Sequence, residues 1–315
     1  MENEPEGDPV APHVVTPETA PRPTSKRHLL GWSPLALLVV GTTAAAALGV
    51  ATGGSVVPGA GMVPADFVVS STQQTLAQHT ADLVVSGRIS GPGTDVSITG
   101  TGQVDFVSNS LTADLSTGTS GTSVSSREVV ANGNVYVGLT IDGMSMSQLT
   151  GGADWVSIPI PDQNATSAFG TGSVNPLSEI QFLETKGATV VPLGTSVING
   201  DVVSGYSVTP TRAEESEIVQ HEISTGELPA SDQQQVLNSL NQLGTLTCDV
   251  WFDSSGLLRR ESVNIGGGSS GVSGQVDFTY QNYGVPVSIE APPASDVISS
   301  SQFAADLQSL QDTTD

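Results

Sequence analysis

Residues Leu246–Ser299 read LTCDVWFDSSGLLRRESVNIGGGSSGVSGQVDFTYQNYGVPVSIEAPPASDVIS, and this stretch decides the fold class. Leu246, Cys248, Val250 and Phe252 alternate with more polar neighbours up to a turn at Asp253-Ser254-Ser255-Gly256. Val263 and Ile265 alternate on the return. After a glycine spacer, Val276, Phe278 and Tyr280 form a third run, and Val285, Val287 and Ile289 follow. Apolar residues at period two, bounded by glycine turns, make antiparallel strands with one covered face and one wetter face. Ala291-Pro292-Pro293 removes backbone donors and is expected to end the sheet.

The same residues carry a resemblance. The order VWFD, GLLRR, VDFTYQNYG, PVSI, APP resembles the C-terminal half of the LprG/LppX-type actinobacterial lipoproteins, which are similar in fold to the LolA lipoprotein carriers. Its strongest part is Tyr280-Gln281-Asn282-Tyr283-Gly284 followed by Pro286-Val287, and it extends from Asp66 to about Ser299. The resemblance implies a curved antiparallel sheet with helices around an apolar cavity for lipid. It brings no catalytic signature. No cysteine directly follows the apolar N-terminal segment, so the lipidated anchor of those lipoproteins is not expected here.

Upstream, the strand signals are dense. Leu83, Val85 and Ile89 share one phase. Val96, Ile98, Val104 and Phe106 share another, with Gly100 and Gly102 between them on the same side. Inward glycines either leave room for a cavity or permit strong curvature. Leu111, Ala113 and Leu115 continue the meander. Asn132-Gly133 and Asn199-Gly200 are hairpin signals of type I′ character. Trp155–Pro159 is expected as an edge strand closed by proline. Helices are expected at Ser70–His79, at Pro176–Lys186 with Asn175 as N-cap, at Ser231–Leu243, and at Gln302–Leu310. Strand runs with inserted helices define an α+β fold, here a half-barrel of antiparallel strands with helices packed on one face.

The 315-residue chain carries a formal net charge of −23, and beyond Met62 six Lys or Arg face 27 Asp or Glu. Such a field repels phosphate and excludes nucleic acid as a partner class. Residues 1–28 form a Pro-, Glu- and Thr-rich tail without periodicity. Leu29–Ala51 has no formal charge and, at 1.5 Å per residue, reaches about 35 Å, enough for the ~30 Å hydrocarbon core. Arg22, Lys26 and Arg27 lie before it, which orients the tail to the cytoplasm and exports the rest. Ala44–Ala47 offers small-residue cleavage sites, but the long tail favours an uncleaved single-pass anchor. A linker over 52–65, a domain over 66–300 and a C-terminal helix or tail over 301–315 complete the organisation.

Chemistry-bearing constellations are few. His79 and His221 stand far apart, and neither has a metal-spaced second ligand. No strand-to-helix nucleophile elbow, Ser-x-x-Lys or phosphate loop is present. Glu214, Glu215, Glu217 and Glu222 lack the alternating oxygens of a calcium loop. The sole cysteine, Cys248, reads as a small buried hydrophobe. Arg259 and Arg260 are expected on opposite faces, one in an ion pair and the other within reach of a headgroup. Trp155, Trp251, Tyr280 and Tyr283 are candidates for a cavity mouth. The expected protein is therefore a non-enzymatic, cofactor-free carrier outside the cytoplasm. Its lipid or acylated ligand would lie against Val96, Ile98, Val104, Phe106, Val250, Phe252, Val276 and Phe278. An envelope sensor or scaffold that contacts another protein through the same fold is the alternative.

Overall fold

A computed structural model describes residues 63–159, 189–209 and 246–306, apart from short gaps at 120–121, 267, 270 and 304. The expected anchor at 29–51, the helices at 176–186 and 231–243, His221 and the glutamate cluster lie outside the described residues. Among the described residues no helix is long and apolar enough to cross a membrane.

The strands join in one large sheet. Strands β1 (Thr80–Gly91), β2 (Thr94–Asp105), β3 (Ser110–Thr119), β4 (Thr122–Ala131) and β5 (Asn134–Ile141) form a meander in chain order. Strands β8 (Thr189–Ile198), β9 (Asp201–Thr209), β10 (Leu246–Asp253), β11 (Leu258–Ile265) and β12 (Ser273–Gln281) form a second meander. The two wings meet where β1 pairs antiparallel with β12, from Asp82↔Gln281 to Ser90↔Ser273. The two-residue β6 (Met144–Ser145) pairs with β5, and β7 (Trp155–Pro159) adds outside β5. The result is a curved antiparallel sheet of half-barrel form with few helices.

Three readings of the sequence need correction. Strand β7 is not the edge, because the chain returns after Pro292-Pro293 and adds β13 (Val297–Ser299) parallel to it. The proline pair interrupts the sheet but does not end it. Val285, Val287 and Ile289 do not form a strand; residues 285–293 run without ladder pairing, with Val285 O accepting a hydrogen bond from Thr80 Oγ1 at 2.6 Å. Their alternation is real, but β1 already occupies the free edge of β12.

The first helix of the described residues, α1, spans Pro64–Leu76 and so begins six residues before the expected Ser70. Pro64 at N1 supplies the fixed φ that starts it, in place of a side-chain cap. Ser70 and Thr72 instead sit inside, bonding back to Phe67 O and Val68 O, as helical hydroxyls do. A short α2 (Met146–Thr150) is held by a capping box between Ser145 and Gln148. Residues 300–303, 305 and 306 are helical, where a last short helix was expected to start near Gln302.

Turn chemistry matches its signals. Asn132 and Gly133 have φ of 53° and 71°, and Asn199 and Gly200 have 50° and 92°. Both central residues are left-handed, as a type I′ turn requires. Asp142-Gly143 makes the same turn between β5 and β6; its Asp-Gly signal passed unread.

Candidate functional site

Cross-strand register assigns the inner face residue by residue, because opposed residues of an antiparallel pair share a side. Val250 opposes Glu261, which opposes Phe278, which opposes Val85. Val85 opposes Gly100, and Gly100 opposes Leu115. Val96, Ile98, Val104, Phe252 and Val276 fall on the same phase. Seven of the eight expected residues are at most 3 % exposed, and Val276 is half-buried against them. The sheet thus gathers residues from distant stretches onto one apolar face. Helix α1 covers part of it: Phe67 meets Tyr206 at 5.1 Å and Phe252 edge-on at 5.8 Å, and Thr75 Oγ1 accepts from Leu258 N at 2.9 Å.

Gly100 and Gly102 do not leave a void. A Cβ on Gly102 would run into the Thr112 carbonyl oxygen, and one on Gly100 into the Asp114 carbonyl and the Leu115 side chain. These positions serve close backbone approach, with β3 pressed against β2.

Two carboxylates lie on this inner face, and alternation had marked neither. Glu128 and Glu261 are both 0 % exposed. Ser126 donates to Glu128 at 3.3 Å. Glu261 accepts from Tyr280 OH at 3.4 Å and from Cys248 Sγ at 3.3 Å. Cys248 is therefore on the expected phase, but half-buried and hydrogen-bonded rather than a plain hydrophobe. The signal was available: Glu128 shares the phase of Val124 and Val130, and Glu261 that of Val263.

One arginine forms the expected ion pair, while the aromatics are arranged differently from expectation. Arg259 bonds Asp253 through Nε at 2.8 Å and Nη2 at 2.7 Å, reaches Asp201 at 3.4 Å, and lies 5.5 Å from the Tyr283 ring. Arg260 stacks on Trp251 at 5.3 Å on the outer face. Arg127 stacks likewise on Trp155 at 4.8 Å. Tyr280 is 1 % exposed in the core. Tyr283 donates to Leu258 O, and burial pushes its phenol well above the ordinary range. The four aromatics therefore do not form one mouth, because the tryptophans occupy the face opposite Tyr280.

His79 is exposed just past α1 with φ of 69°. Among the described residues no cluster of His, Cys, Asp or Glu has metal-binding form. The letters Gly267-Gly268-Ser269-Ser270-Gly271 fit Gly-x-Ser-x-Gly, but they join β11 to β12 rather than a strand to a helix. A groove of about 500 Å³ does open on the outer face, lined by Arg88, Ser90, Thr247, Asn264 and Gln275 among others. It is shallow, of mixed polar and apolar lining, and on the side opposite the buried apolar residues.

No protein-family model matches the chain, and no curated protein does. Solved structures similar to it include the lipoprotein LppX from Mycobacterium tuberculosis, at 18 % identity and TM-score 0.37, covering 71 % of this chain and 98 % of that one. LprF from Mycobacterium bovis is similar at 17 % identity and TM-score 0.38, covering 73 % and 97 %. An uncharacterized conserved protein from Thermus thermophilus is similar at 7 % identity and TM-score 0.37, covering 75 % and 98 %. The two lipoproteins are of the LprG/LppX type that the C-terminal stretch resembles. At such TM-scores the likeness carries no argument about function.

Proposed function

We propose that the chain is a non-enzymatic, membrane-tethered protein of the cell envelope that holds a lipid or an acylated ligand against the inner face of its sheet. The observation that supports this reading is the convergence of Val96, Ile98, Val104, Phe106, Val250, Phe252, Val276 and Phe278 on one side of a curved sheet. Each acyl CH₂ buried there would contribute about 0.8 kcal/mol. Residues 29–51 would be the anchor, with the domain outside the cytoplasm. A specific observation favours a second reading, the envelope sensor or scaffold: the backbone of β3 occupies the place a side chain would take at Gly100 and Gly102.

The two readings separate in one experiment. The full chain is taken from its native envelope without detergent, the domain is released by cleavage within residues 52–62, and native mass spectrometry weighs it. A carrier shows added mass of an amphiphile that chases off with excess fatty acid. A domain of bare polypeptide mass refutes the carrier and leaves the scaffold.

A further inference from the structure

The two ends of the sheet are not alike. One end carries the turns after β2, β4, β8 and β10, the entry from α1 into β1, and the exit from β12; Thr80↔Asp105, Asn134↔Pro159, Asp253↔Val203 and Ile198↔Asp201 fix this. Five of the eight large apolar residues exposed among the described residues stand there: Val107 at 56 %, Val197 and Val202 at 65 %, Val285 at 38 % and Ile158 at 37 %. Of the other three, Val191 and Leu193 lie on β8 toward the opposite end, and Val63 precedes α1.

Around them the rim carries Asp82, Asp105, Asp201 and Asp253 against Arg259 and the exposed His79. Its left-handed non-glycine positions are held by His79, Asn109, Asn132, Asn199 and Asn282 rather than by aspartates. The carboxylates nearby are engaged within the fold. Asp105 accepts from Val107 N and Ser108 N, Asp253 from Ser255 N, Leu257 N and Arg259, and Asp82 from Gln103 and Asn282, while Asp201 pairs with Arg259.

We infer that this rim rests on an uncharged or zwitterionic lipid surface, the bilayer that holds residues 29–51. The inference rests on the anchor reading. The linker over 52–62 reaches at most about 40 Å, so the domain never leaves the vicinity of the membrane. Valine and isoleucine tips bind a bilayer weakly by themselves, but a tether makes the contact intramolecular and raises its effective concentration. Anionic lipid is opposed by the acidic surface.

The test uses the full chain in phosphatidylcholine vesicles, with Cys248→Ser as background. An environment-sensitive label is placed at Val202→Cys, at Val107→Cys, or at Ser90→Cys in the opposite groove. Circular dichroism checks each fold, and two rim positions guard against one failing. The expected result is flotation with the vesicles, iodide quenching several-fold weaker at both rim positions than at Ser90, and loss of that protection when detergent dissolves the vesicles. Equal quenching in floating protein overturns the rim contact while sparing the anchor. A chain that does not float overturns the anchor reading and the rim contact with it. Protection that survives detergent shows the rim covered by protein and overturns the lipid assignment.

Discussion

The two wings of the sheet solve the same problem from the same dipeptide. In the first wing Arg127-Glu128 lies on β4, and in the second Arg260-Glu261 lies on β11. Strand alternation sends each glutamate into the core, 0 % exposed, and each arginine out over a tryptophan. Each tryptophan is seated on a glycine of a neighbouring strand, Gly138 under Trp155 and Gly205 under Trp251. The order differs, however. Arg260 directly opposes Trp251, which then covers Gly205, whereas Arg127 opposes Gly138 and Trp155 reaches across that glycine to meet it. Arg127 stays exposed, while Arg260 is half-buried with its Nε enclosed and without a hydrogen-bond partner. A period-two pattern thus sets the face each group takes, and the strand order sets how dry it becomes.

The largest expected effect belongs to the first wing, where backbone meets backbone. Gly102→Val places a branched side chain against the Thr112 carbonyl, which cannot rotate away as a side-chain tip can. Its cost is expected at about 3 kcal/mol in chemical denaturation, the upper range for overpacking. An unchanged midpoint would show that β3 can slide off β2, and that a ligand has room there after all.

Gly205→Val in the second wing follows, at about 2 kcal/mol by the same overpacking argument, because its Cβ meets the ring of Trp251. That ring can tilt, at the expense of the Arg260 stack. Gly138→Ala is the milder case: the position is buried, but its Cβ would meet Asp154 O at 3.1 Å and Trp155 Cε3 at 3.5 Å, so the cost should be about 1 kcal/mol, the lower end for overpacking. Gly200→Val tests the hairpin at the rim. A β-branched residue at φ of 92° is strained, at about 1–2 kcal/mol.

Much of this architecture was legible in advance. The alternation from Leu246 to Tyr280 and the Asn-Gly turns are local signals, and the strands and turns formed where they indicated. The eight inward apolar residues also followed, because phase along a strand needs no knowledge of partners. What escaped depends on partners. That β13 returns parallel beside β7 is decided by a free edge that only the assembled sheet reveals. The inward glycines are ambiguous in sequence, because close approach and empty space both require a missing side chain. Glu128 and Glu261 sit on apolar phases in plain view, but polar residues in strands are ordinarily assigned outward. Asp105 shows the same dependence on assembly. Burial pushes its carboxyl up, yet the Ser108 and Val107 groups and nearby His79 outweigh this and hold it below the ordinary range.

The smallest expected effects concern the arginines, and they sharpen the contrast between the wings most directly. A cation over an aromatic face is worth about 0.5–1 kcal/mol when exposed and about 2 when desolvated. Arg127→Met and Arg260→Met keep much of the aliphatic packing that a long side chain contributes and remove the charge. Each is combined with Trp155→Leu or Trp251→Leu in a double-mutant cycle, which isolates the pair from the rest of each side chain. Coupling in the first wing should be about 0.5 kcal/mol and should fall with added salt, because Arg127 is exposed. Coupling in the second wing should be two to three times larger and nearly independent of salt. The enclosed Nε of Arg260 opposes this gain, since a buried donor without a partner costs about 1–3 kcal/mol. Removing it with the charge therefore leaves the single mutant Arg260→Met close to neutral even while the coupling is large. Equal couplings with equal salt dependence would mean that Arg260 is as well hydrated as Arg127. The difference in strand order would then have no energetic consequence.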